Sequence, residues 1–139
     1  MVDTKRINKK VIWAISIATI GFGLLTLKSG GFALFGGEAG KQFAGDYVPF
    51  VLWFNFCAGL FYIASGVGIF FKKSWGVDLG ITIASLTAIV FALFGVYILS
   101  NGAYEVRTLG AMTFRTLFWV VISFFAAKQI KSNLLNKLS

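Results

Sequence analysis

The sequence predicts an all-α integral membrane protein, a bundle of four transmembrane helices. Hydrophobic residues make up 58% of the chain and charged residues only 13%, whereas soluble domains are about a quarter charged. The apolar residues collect in four long stretches, and most of the basic residues lie at the ends of those stretches. A soluble protein of 139 residues could not bury this much apolar surface in one core.

The four stretches lie at about residues 11–27, 48–71, 77–99 and 108–127. A bilayer core about 30 Å thick is crossed by roughly 20 apolar residues in a helix, so each stretch can form one span. Pro49 is typical of a first helical turn. We expect the glycine-rich segment 29–47 to be a loop that rests on the membrane surface or folds over the bundle. The chain, residues 1–139, is expected to be a single transmembrane domain.

The basic residues predict that both termini face the cytoplasm, because cytoplasmic loops carry an excess of Lys and Arg. With the N-terminus inside, nine basic residues lie on the cytoplasmic side: Lys5, Arg6, Lys9, Lys10, Lys72, Lys73, Lys128, Lys131 and Lys137. Four lie on the outer side or in the outer ends of the spans: Lys28, Lys41, Arg107 and Arg115. This distribution also disfavours insertion in both orientations.

Composition excludes several classes of function. The net charge of +8 would suggest nucleic acid in a soluble protein, but here the basic residues flank apolar spans and are expected to contact anionic lipid. We therefore expect no nucleic-acid partner. The chain has no histidine, and Cys57 is its single cysteine, so we expect no metal site and no cofactor.

Small residues predict how the helices pack. Helices in lipid associate through close packing, not through hydrophobic exclusion. Gly80, Ala84, Ala88 and Ala92 recur every four residues in the third stretch and would line one helix face. We expect this face to pack against another helix.

The unusual polar residues gather at the predicted outer end, and Arg115 is the main one because a charge inside a membrane is costly. Arg107 lies two turns before it, Glu105 lies in the preceding loop, and Asn55 and Asp46 lie at the outer end of the second stretch. These five residues are the candidate ligand-binding residues. We expect Arg115 to reach toward Glu105 or Asn55 inside the bundle.

Three roles are open to this group. Arg115 can extend its guanidinium to the head groups or pair with Glu105 or Asp46, which would be purely structural. It can also bind an anionic ligand, since arginine suits carboxylate and phosphate groups. A catalytic role is disfavoured, because two arginines and a carboxylate provide no pair of nucleophile and base. We predict no catalytic residue.

Two segments, 47–56 and 102–108, followed by Ala111, Met112 and Arg115, resemble small bacterial tetraspan membrane proteins. The overall layout is also similar to that of DoxX-like proteins, which are associated with membrane redox and quinone-linked complexes. The resemblance implies a multi-pass protein of the bacterial inner (cytoplasmic) membrane. It places the family's motif positions at Asn55, Glu105, Arg107 and Arg115, and it carries over no catalytic residue.

Two functional hypotheses follow. The first is a non-enzymatic accessory or interaction subunit of a membrane complex, with membrane lipids, other membrane subunits or a second copy as its partners. The alternative is a protein that binds or transports a small ligand or a lipid through the outer cluster. The geometry of Arg115 separates them, because an enclosed, carboxylate-bound Arg115 favours the first and an Arg115 that faces an open cavity favours the second.

Overall fold

The computed structural model describes residues 8–138, with side chains through Lys131, and this part of the chain forms five helices. They are α1 (Lys9–Phe35), α2 (Gly37–Ala44), α3 (Pro49–Phe70), α4 (Ser74–Leu99) and α5 (Val106–Leu138). Four of them are long and apolar enough to cross a membrane. The predicted all-α four-helix bundle is confirmed, and the chain is a multi-pass membrane protein. Lys5, Arg6 and the side chain of Lys137 lie outside the described residues.

Helix α1 is longer than the stretch that hydropathy marks, because it continues from Leu27 to Phe35. Its glycines do not end it, since Gly30 packs closely against α3, where an added Cβ would lie 3.2 Å from the Phe56 ring. The chain turns at Gly37, which has a φ of +64°. The rest of the expected loop then forms the short helix α2, which folds back against the last turns of α1.

The long helices are neighbours in the order α1, α3, α4 and α5. Helix α5 closes the bundle against α1 at a greater distance than the other pairs, and large side chains fill the space between them. Phe22 of α1 packs against Phe114 and Phe118 of α5, with ring centroids 5.7 and 4.8 Å away. The wide α1–α5 seam leaves room for a cavity.

The closer helix pairs meet at glycines. An added Cβ at Gly23 of α1 would lie 2.9 Å from the carbonyl oxygen of Gly59 in α3, and one at Gly68 of α3 would lie 2.7 Å from the Cα of Gly76 in α4. Both distances are too short for a methyl group. Because lipid is as apolar as the side chains, such close backbone contact is a main source of stability in a membrane bundle.

The small-residue face predicted on α4 enters the bundle only in part. Gly80 and Ala84 are buried, but Ala88 and Ala92 are exposed. The physical reason is helical pitch: with 3.6 residues per turn, a step of four residues rotates the position by about 40°, so Ala92 lies about 120° from Gly80. The prediction that Ala88 and Ala92 pack against another helix is not met within this chain.

The two ends of the bundle differ in charge. Lys10, Lys72, Lys73 and Lys128 lie at one end, here named the lysine end, where Asp78 of α4 forms an ion pair with Lys131 of α5. The opposite end is closed by α2 and is named the α2 end. Because the chain crosses the bundle four times, the start of α1 and the end of α5 both lie at the lysine end.

Candidate functional site

A cavity of about 180 Å³ opens at the α2 end, between α1, α3 and α5, with α2 and the segment that follows it as a further wall. This volume is well above the roughly 10–15 Å³ that a cavity needs to hold one water. Asn55, Glu105, Arg107 and Arg115 all line it. The structure therefore brings four of the five predicted site residues to one cavity. Asp46 is exposed and does not line it.

Arg115 lies nine residues into α5, which is about 14 Å along the helix axis. Its Nη1 donates a hydrogen bond to Thr26 Oγ1 of α1 at 3.1 Å, and its Cζ lies 5.2 Å from the centre of the Phe22 ring. The expectation that Arg115 faces the bundle is met. The predicted partner is wrong, because Arg115 hydrogen-bonds Thr26 and not Glu105 or Asn55.

The guanidinium of Arg115 is incompletely satisfied. Its Nε is buried and has no hydrogen-bond partner. Within the described part of the chain, neither Arg115 nor Arg107 forms an ion pair with a carboxylate. Arg115 is half-buried, and a charge withdrawn from water without a counter-charge is costly.

Asn55 contributes a second unsatisfied atom. Its Nδ2 donates to Met112 Sδ of α5 at 3.5 Å, and its Oδ1 is buried without a partner. A thioether sulfur can accept a hydrogen bond but cannot donate one. This contact therefore orients the amide so that its oxygen is the atom left without any partner.

Glu105 and Arg107 hold the segment that forms the cavity wall. Glu105 Oε1 accepts a hydrogen bond from the backbone N–H of Asp46 at 2.8 Å. Arg107 Nη2 donates to the carbonyl oxygen of Phe43, in the last turn of α2, at 2.7 Å, and its Cζ lies 5.6 Å from the centre of the Phe43 ring. These two residues fasten α2 to the start of α5.

The charges and walls of the cavity determine its chemistry. Two arginines and one glutamate line it, so the side chains give it a net positive charge. Val48, which precedes α3, and Val51 and Leu52 of α3 form an apolar wall. Thr26 accepts a hydrogen bond from Arg115, and a guanidinium offers hydrogen-bond donors but no acceptor. The arrangement is suited to binding an anionic group, not to nucleophilic catalysis.

The sequence interpretation missed Thr26 and Phe22, the two residues of α1 that contact Arg115. A signal for Thr26 was present. The buried positions of α1 include Thr19, Gly23, Thr26, Gly30 and Ala33, spaced alternately by four and three residues. That spacing marks one helix face, and following it would have placed the Thr26 hydroxyl inside the bundle.

Comparison of the chain with protein-family models, curated proteins and solved structures finds no match.

Proposed function

We propose that the protein binds a small amphipathic ligand with an anionic head, and that the cavity at the α2 end is the binding site. The observation that carries the proposal is the buried, unpaired Nε of Arg115 on a cavity wall. An acidic oxygen of the ligand would accept from this group and supply the missing counter-charge. Arginine is suited to this task because its planar guanidinium matches carboxylate and phosphate geometry.

The ligand is amphipathic because the cavity combines the arginines with apolar walls. Val48 and Val51 are buried on one side, and Ala33 of α1 lies on another. Arg115 lies about 14 Å from the start of α5, so the anionic head would bind within the bundle, below its end. An apolar tail could then lie against α3 or extend into the surrounding lipid.

The proposal also includes the type of membrane and the orientation of the protein in it. We place the protein in a bacterial inner membrane with the lysine end toward the cytoplasm. The count of nine basic residues against four and the excess of Lys and Arg in cytoplasmic loops support this orientation. The cavity would then bind a ligand in the outer leaflet or from outside the cell.

A subunit role in a membrane complex is the second candidate. Ala88 and Ala92 are exposed on α4, although small residues at this spacing are typical of faces where another helix approaches. This face could receive a second copy or another membrane subunit. The resemblance to DoxX-like proteins favours the same role and stays a prediction.

The proposed binding is tested with dodecyl phosphate, added to the protein purified in a neutral maltoside detergent. A ligand that binds only the folded state raises the melting temperature, and the stabilisation grows with the logarithm of the ratio of ligand concentration to Kd. We expect dodecyl phosphate to stabilise the wild type and to bind Arg115→Met at least about tenfold more weakly, because one buried charged contact is lost. Dodecylphosphocholine, whose head has no net charge, should stabilise the wild type much less.

The matched control is Lys28→Met, which also removes one positive charge from the α2 half of the bundle but at an exposed position on α1. This variant should bind dodecyl phosphate as the wild type does. Equal loss in both variants would indicate a general charge effect. Equal stabilisation of the wild type by the two detergents would overturn the proposal, even if Arg115→Met does not fold.

A further inference from the structure

Two unsatisfied atoms of opposite type belong to the same cavity. Arg115 Nε is a hydrogen-bond donor, Asn55 Oδ1 is an acceptor, and both are buried without partners. Asn55 contacts Met112, which lies three residues before Arg115 and therefore on the same face of α5, within about 6 Å between Cβ atoms. One small chemical group can thus satisfy both atoms.

The two atoms require different partners. Arg115 Nε needs an acceptor, which any acidic oxygen provides. Asn55 Oδ1 needs a donor, and a fully ionised carboxylate or a phosphodiester without a further polar hydrogen has none to offer. A buried acceptor left unpaired lowers the affinity for such a ligand.

We infer that the ligand carries a hydroxyl donor close to its anionic group, as in a glycerol phosphate head. The acidic oxygens would accept from Arg115 Nε, and the hydroxyl would donate to Asn55 Oδ1. The inference rests on the proposed function and adds the class of head group. Both atoms are enclosed by their neighbours, so side chains of the cavity wall must shift slightly when the head group enters.

A water molecule could supply the same donor in the empty cavity. Displacing an ordered water is favourable only when the ligand reproduces its hydrogen bonds. A hydroxyl on the head group does this, whereas a methyl group does not. The cavity, at about 180 Å³, is well above the roughly 10–15 Å³ that one water needs, so it has room for a small head group.

The experiment compares two lipids of equal charge, phosphatidylglycerol and phosphatidylmethanol, which differ in the hydroxyls of the head group. Each is mixed into neutral phosphatidylcholine nanodiscs that contain the protein, and binding is measured by native mass spectrometry. We expect the wild type to bind phosphatidylglycerol about five- to tenfold more tightly, the effect of one hydrogen bond. Asn55→Leu, which keeps the branched shape and the number of heavy atoms and removes the amide, should bind both lipids equally.

The outcomes separate the two proposals. Equal binding of both lipids by the wild type, abolished by Arg115→Met, would overturn the hydroxyl inference and leave the anion site intact. No Arg115-dependent binding of either lipid would overturn the anion site itself. Soluble glycerol 3-phosphate, tested in the same way, distinguishes a free phosphate ester from a lipid. The wild-type comparison decides the inference even if Asn55→Leu does not fold.

Discussion

Glu105 and Arg107 are two residues apart, and both bind the backbone around the C-terminal end of α2. Glu105 accepts from the N–H of Asp46, and Arg107 donates to the carbonyl of Phe43. One residue thus binds a backbone donor and the other a backbone acceptor, which fixes the position of the chain between them. Gly45 lies between Phe43 and Asp46 and has a φ of +63° and a ψ of −139°.

Replacing Gly45 by alanine should destabilise the fold at the α2 end. This backbone conformation is nearly restricted to glycine and costs other residues about 1–3 kcal/mol. An added Cβ at Gly45 would also overlap the Glu105 carboxylate. We expect a lower melting temperature in detergent and faster proteolysis of the α2 segment.

Gly37→Ala is the matched control, because Gly37 also has a positive φ but has nothing within 4 Å of an added Cβ. Its loss should be smaller than that of Gly45→Ala. Equal losses would show that the overlap between the added Cβ and the Glu105 carboxylate contributes nothing to the destabilisation.

At the residue scale, sequence reasoning grouped four residues that line one cavity, but it did not find their hydrogen bonds. Charged residues in an apolar chain are conspicuous, so Arg115, Arg107, Glu105 and Asn55 could be identified as a group. The partner of Arg115 could not be deduced in the same way. Thr26 is 89 residues away in sequence, and its contact depends on the rotation of α1, which hydropathy does not determine.

At the scale of elements, hydropathy located the four long helices because a bilayer demands about 20 apolar residues in each. It did not locate α2 or the true end of α1. Gly30 and Gly31 lower the helix propensity, but Gly30 is buried against Phe56, and tertiary packing outweighs that preference. The α2 segment is polar and short, so a search for spans could not detect it.

The spacing of small residues on α4 and the structure lead to different expectations for the same substitution. Ala84 is buried in the core, and Ala88 is exposed. Ala84→Leu should therefore destabilise the bundle by about 1–3 kcal/mol, because the added volume must displace neighbouring helices. Ala88→Leu should change stability by less than about 0.5 kcal/mol, as expected for a surface position.

Unfolding of both variants in detergent measures the difference, and the oligomeric state is followed by size-exclusion chromatography with light scattering. A loss of stability in Ala88→Leu accompanied by dissociation of a larger species would place a second copy on this face. A loss in Ala88→Leu without any change of oligomeric state would contradict the burial of α4 described above.

At the scale of the whole molecule, polar and apolar side chains are arranged for a lipid environment. Tyr62, Thr87, Trp119 and Ser123 lie in the interior with a buried polar atom that has no protein partner. Large apolar side chains face outward instead: Leu25 is 65% exposed, Phe124 62% and Leu99 85%. In water this surface would aggregate, whereas in a bilayer it contacts lipid.

The orientation of the bundle decides which side of the membrane supplies the ligand. Cys57 is the single cysteine of the chain, so Cys57→Ala gives a background without thiols. Ser74 lies at the lysine end and Ala39 on α2 at the opposite end, and both residues are exposed. If the lysine end faces the cytoplasm, an impermeant maleimide should label Ala39→Cys in intact cells and leave Ser74→Cys unlabelled.

Permeabilising the cells makes this test internally controlled, because both thiols should then react at comparable rates. Labelling of Ser74→Cys alone in intact cells would indicate the opposite orientation, with the Arg115 cavity in the cytoplasmic leaflet. Labelling of both would indicate two orientations, which the nine-to-four distribution of basic residues disfavours. With Ala39→Cys alone labelled, the cavity opens toward the outer leaflet, and the proposed anionic ligand would reach Arg115 from that side.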